Sequence, residues 1–145
     1  MRHFFFYGTL LDPDVVAFVL GRRLPPASFA PALLPGHKRR RAEGKSYPIV
    51  VRAPASAVAG AVVSGLSAKD VERLAAYEGP GYRVINVGVK GAGRHRMVSM
   101  FEPLISHLQP AAEVWDLMLW QRCHKRAFMG RLRRAISARP GDSRR

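Results

Sequence analysis

The sequence predicts a small α+β domain: five or six mainly antiparallel strands with a few helices, a count and length that favour a closed or half-closed barrel. Three observations predict it. Short runs of strand composition recur along the chain, separated by glycine and proline turns. Between them, two short segments carry helix signals at both ends. The length of 145 residues, 48% of them hydrophobic, suffices for one packed core.

Each element has its own reason. "FFFY" (4–7) reads as a short first strand, and an unbroken aromatic run suits burial on both faces. Gly8 follows as a turn residue able to take a positive φ. Asp12 suits an N-cap, Pro13 the first helical position and Gly21 the stop, so 13–20 is a short apolar helix. "LPPASFAPALLPG" (24–36) is punctuated by prolines and reads as loop with at most short extended pieces. "YPIVVRA" (47–53) and "AVAGAVVSG" (57–65) read as two strands, the second with a glycine that admits a close neighbour.

Ser67 caps the next helix, "AKDVERLAAYE", and Asp70 at its third position makes a near capping box. Gly79-Pro80-Gly81 ends it. "YRVINVGVK" (82–90) alternates, and a tight "GAG" turn leads into its hairpin partner "HRMVSMFEP". A final helix is expected from Ala111 to Leu132, with Leu117, Trp120, Phe128 and Leu132 on one stripe. His124 falls on that stripe as a core or capping residue.

These elements make a single domain over 1–135, followed by a basic tail at 136–145 that is expected to fray. The longest apolar stretches are too short to cross a bilayer. The N-terminus has one arginine and then aromatics, without the apolar stretch and cleavage site of a secretory signal. The one cysteine, Cys123, cannot form an internal disulfide, which suits a reducing cytoplasm. The net charge is +14, concentrated in "HKRRR" (37–41) and in the segment from Arg122 onward. Charges coating a solvated surface account for it; attraction to nucleic acid or another anionic partner is the alternative.

Two features carry chemistry. On the 67–78 helix, Val71, Leu74 and Ala75 precede Glu78 by seven, four and three residues, which puts all four on one face. A carboxylate in line with an apolar stripe, at a helix C-terminus, has its pKa raised by desolvation and by the helix dipole. Spacing alone also allows an exposed terminal glutamate, or one paired with Arg83. The second feature is the turn after the first strand. Its backbone N–H groups at Gly8, Thr9 and Leu10 can grip a carboxylate or an oxyanion.

In this order and at this distance, the two features resemble the γ-glutamylcyclotransferase-like family. The resemblance rests on "FFFYGTLL" at the start, "YP" at 47–48, "GAVV" at 60–63 and "LAAYEGPGYRVINVGV" at 74–89. It implies a small mixed β-barrel with flanking helices and an enzyme acting on a small γ-glutamyl compound. It assigns the acid–base role to Glu78 and substrate binding to Tyr7, Gly8, Thr9 and Leu10, with Tyr82 lining the pocket. The implied reaction closes the γ-glutamyl group into 5-oxoproline and frees an amine. No metal, cofactor or protein nucleophile is required.

Two positions depart from the family pattern. Ala75 stands where many members carry an aspartate, and Phe101 where a tyrosine often lies near the pocket. The histidines and the cysteine show no zinc-site spacing. Cys123 and His124 are neighbours on a helix and point apart, so they make no nucleophile–base pair. Gly88, Gly91 and Gly93 lack the following helix of a phosphate loop. A second reading, a noncatalytic module that binds nucleic acid or an acidic partner through its basic surface, is told apart by where the arginines lie relative to Glu78.

Overall fold

The computed structural model describes residues 2–104 and 108–137. Five strands form a closed barrel in the order β1-β3-β2-β4-β5: β1 Arg2–Phe6, β2 Phe29–Arg41, β3 Pro48–Leu66, β4 Tyr82–Gly91 and β5 Arg94–Pro103. Four α-helices flank them: α1 Pro13–Leu20, α2 Ala68–Glu78, α3 Leu117–Cys123 and α4 Lys125–Ser137. The barrel is mixed because β1 pairs antiparallel with β3 but parallel with β5, at Phe4–Ser99. Most of the basic tail expected at 136–145 lies outside the described residues.

The aromatic opening is buried on both faces. Side chains alternate along a strand, so Phe5 and Tyr7 enter the barrel interior with Leu34, Val50, Val62, Val89 and Met100. Phe4 and Phe6 face the helices, packing with Val15, Leu20, Leu74 and Trp120. Gly60 is the expected close approach: a Cβ there would lie 2.3 Å from the Phe6 carbonyl oxygen.

Both expected helix starts are observed. The Asp12 carboxylate accepts from the N–H groups of Asp14 and Val15 at 2.8 and 3.2 Å, and Gly21 closes α1 at φ 72°. Ser67 and Asp70 form a complete capping box, each side chain bonding the other's backbone N–H.

Three expectations are corrected. The 24–36 segment is irregular only up to Ser28, since β2 begins at Phe29 and runs through Pro31 and Pro35. That strand pairs along its length with β3 but meets β4 only at Leu33–Lys90, so a proline lacking its N–H leaves little ladder unmade. The two strands expected at 47–53 and 57–65 are one, β3. Residues 53–56 lie opposite Gly36 of β2, so Pro54 marks a bulge, not a hairpin turn.

The helix expected from Ala111 starts only at Leu117, capped by Asp116, and breaks at His124. His124 is exposed, and its backbone N–H bonds the Trp120 carbonyl at the break. The buried Asp12 anchors this broken pair to α1. Its second oxygen accepts from Gln121 Nε2 and Lys125 Nζ, both at 2.9 Å.

Candidate active site

Beyond β1 the chain makes a single 310 turn at Thr9–Leu11, closed by the Leu11 N–H on the Gly8 carbonyl at 2.9 Å. The N–H groups of Gly8, Thr9 and Leu10 therefore precede any carbonyl the turn can offer them. Gly8 has φ −132°, so the expected positive φ is corrected. Its glycine is required instead by Pro48, whose Cγ would lie 2.9 Å from a Cβ at this position. The turn and the "YP" motif thus pack directly on each other.

From the other side, α2 delivers Glu78 as its last residue, with Gly79 at φ 78° ending the helix. A cavity of about 170 Å³ lies between, and its walls include Tyr7, Gly8, Thr9, Leu10, Glu78 and Tyr82. All six residues singled out in the sequence thus border one space. Phe101 also lines it, stacked on Phe4 with centroids 5.1 Å apart, and presents no hydroxyl. Ala75 is exposed on α2 and does not line it.

Burial pushes the Glu78 carboxyl up to about 8 from its ordinary 4.5. Among the described residues no hydrogen bond or ion pair reaches its side chain. The pairing with Arg83 does not occur: Arg83 binds Glu102, at 2.8 Å. Burial likewise raises the phenols of Tyr7, Tyr77 and Tyr82, and the nearby Glu78 adds to each. The Tyr7 hydroxyl is already committed, donating to the Phe101 carbonyl at 2.8 Å.

Three wall residues were not singled out in the sequence. Tyr47 was legible only as part of a motif; its phenol is raised by burial and then by Glu78. Tyr77 lies one residue before Glu78, and its hydroxyl meets the Thr9 hydroxyl at 2.7 Å. Phe128, on the stripe expected to face the core, comes from α4 and packs edge-on to Tyr77 and Trp120. Among the described residues no three His, Cys, Asp or Glu side chains group as metal ligands.

The basic 37–41 run is not a free stripe. Arg41 pairs with Glu113. Arg39 donates through Nη1 to the carbonyls of Tyr7 and Ala59 at 2.9 and 3.0 Å, with its guanidinium 5.4 Å from the Trp115 ring centroid.

The sequence model of the family described as "Gamma-glutamyl cyclotransferase, AIG2-like" matches residues 4–116. AIG2-like protein A of Arabidopsis thaliana is 31% identical over 131 residues, covering 89% of this chain and 78% of that protein. AIG2-like protein B of the same plant is 30% identical, covering 89% of this chain and 74% of its own. A solution structure of an Arabidopsis thaliana protein superposes with a TM-score of 0.65 at 27% identity, covering 96% of this chain and 94% of that one. A solved gamma-glutamyl cyclotransferase shares the fold, with a TM-score of 0.55 at 16% identity over 70% of this chain and 66% of that one.

Proposed function

The chain belongs to the AIG2-like gamma-glutamyl cyclotransferase family, and from that premise we propose that it converts a γ-glutamyl amide to 5-oxoproline and a free amine. One observation carries the reading. A half-buried glutamate borders the same small cavity as the turn, and among the described residues neither its carboxyl nor the turn's first three N–H groups have a hydrogen-bond partner.

The substrate is R–NH–CO–CH2–CH2–CH(NH3+)–COO−. Glu78 takes a proton from the α-ammonium, and the freed amine attacks the γ-carbonyl carbon. The new C–N bond closes a five-membered ring, and the bond to R–NH breaks. Of the three protons on the ammonium, one stays on the ring nitrogen and two leave with the amine as R–NH3+. Glu78 shuttles them, so no water is consumed. An acid near pKa 8 suits this exchange, because α-amino groups titrate at about 7.7–8.0 and neither transfer is steeply uphill.

The rest of the site restricts motion. Attack is intramolecular, so holding the chain folded on itself removes much of the barrier. The Gly8, Thr9 and Leu10 N–H groups bind the substrate's anionic end, and aromatic walls exclude competing water. Tyr7 acts through its backbone, since its hydroxyl is engaged. Tyr82 closes the wall beside Glu78. The setting is the cytoplasm, in keeping with an unpaired cysteine. Among the described residues no helix is long and apolar enough to cross a membrane. A binding module on the basic surface has less support, because Arg39 and Arg41 are engaged within the chain.

The test is a panel of γ-glutamyl amines and peptides assayed for 5-oxoproline by mass spectrometry. Release from at least one, lost in Glu78→Gln, is the expected result. No release across the panel overturns the assignment.

A further inference from the structure

Arg39 sits in a charge run and is half-buried without a carboxylate partner. Among the described residues no acidic oxygen lies within ion-pair distance of it; Asp116 is the acid whose field it feels. A cation withdrawn from water is normally paired. This one is met by two carbonyls, those of Tyr7 and Ala59, and by the face of Trp115. Its Nε is buried and, among the described residues, has no partner.

The position of the Tyr7 carbonyl gives this arrangement a consequence. The peptide that carries it also carries the Gly8 N–H, and in a trans peptide the two point in opposite directions. Arg39 therefore grips, on the side opposite the Gly8 N–H, a peptide whose two residues both border the cavity. A charge-assisted bond to the carbonyl draws electron density through the amide and makes the N–H a stronger donor. Trp115 repeats the pattern. Its Nε1 donates at 2.8 Å to the Ser46 carbonyl, on the peptide that leads into Tyr47 of the cavity wall.

We propose that Arg39, braced by Trp115, is a positioning residue for the cavity: its unneutralised guanidinium polarises the Tyr7–Gly8 peptide and so strengthens the Gly8 N–H as a donor to the anionic end of the substrate. The proposal rests on the cyclotransferase reading for its substrate and not for its polarisation. A residue that only packed would serve as well without charge. The charge is what the site uses.

Three variants test it. Arg39→Met keeps the length and loses the charge, Arg39→Gln keeps a donor without the charge, and Arg39→Lys keeps the charge. In Arg39→Met, KM for an active γ-glutamyl amide is expected to rise about tenfold, the scale of one charge acting across a peptide unit near the surface. Turnover number should stay within about threefold, since substrate and transition state share the anionic end. Arg39→Lys should restore KM to within about threefold of the parent. If Arg39→Met fails to fold, Arg39→Gln gives the same comparison.

The Gly8 amide proton, followed by 15N-resolved NMR without substrate, should move upfield in the neutral variants and stay in place in Arg39→Lys. An unmoved Gly8 resonance, or an unchanged KM in the neutral variants, overturns the proposal. A parent protein inactive on every amide, with the Gly8 resonance moving as stated, would instead defeat the cyclotransferase reading and leave the polarisation standing.

Discussion

The hydroxyls of Thr9 and Tyr77 meet at 2.7 Å, joining the turn after β1 to the last turn of α2 across 68 residues of sequence. Glu78 is the next residue. This contact ties the turn that carries the proposed donors to the helix end that carries the proposed acid. Removing it with Tyr77→Phe and Thr9→Val, singly and together, should give a coupling energy of about 1 kcal/mol in denaturant unfolding. Turnover should fall more than stability does. Additive effects on both would mean that the contact ties nothing together.

Glu78→Gln should keep the fold and abolish 5-oxoproline release, because an amide cannot carry the proton. In the parent protein, kcat/KM should rise with pH through about 8, as the acid empties and becomes a base. Turnover within a few-fold of the parent in the glutamine variant would remove Glu78 from the mechanism.

The same group makes a stability prediction of definite sign. Burial raises its proton affinity from the ordinary 4.5 to about 8, so the folded chain holds an extra proton between those values. Stability contributed by this site is present below pH 4.5 and falls as pH rises through about 8. Glu78→Gln carries no such cost. Its melting temperature should match the parent's at pH 4.5 and exceed it by several degrees at pH 9, in thermal scans at both pH values. Parallel curves would mean that the carboxyl is solvated.

Gly8→Val tests the turn. Its side chain would meet Pro48 Cγ, and the turn or the proline must shift. A stability cost of about 1–3 kcal/mol is expected, with loss of ligand affinity by calorimetry that exceeds the loss in Gly60-proximal controls such as Val62→Ala. Unchanged affinity would refute the donor role of this backbone.

Asp12→Ala should act at a distance. It removes the α1 cap and the acceptor for Gln121 and Lys125, for a cost of about 2 kcal/mol or more. It also loosens the seat of α4 and hence Phe128 at the cavity wall. Proteolysis within 117–137 should accelerate. Equal cleavage rates in parent and variant would contradict the anchoring.

What the sequence made legible was local. Asp12, Ser67 and Gly79 announce helix ends through short-range hydrogen bonding and backbone geometry, and Glu78 follows from helical offsets. The turn was legible too, although for the wrong reason, since its glycine answers to Pro48 from another strand. Tyr77, Phe128 and Arg39 were not legible in their places. Each is assigned by packing between distant segments, and the charge run gave Arg39 the look of a solvated surface. The prolines of β2 misled because their penalty depends on whether a neighbour needs the missing donor, which only the barrel order decides.

The Tyr7 hydroxyl, one residue past β1, reaches the Phe101 carbonyl of β5 across 94 residues, and β1 and β5 close the barrel. Contacts of such separation close the longest loops and cost the most entropy to form, so the cavity depends on pairing the two ends of the barrel. A nascent or truncated polypeptide that stops before β5 is folded nowhere near competence. Conversely, a parting of the first and fifth strands would open the cavity wall while leaving every helix intact.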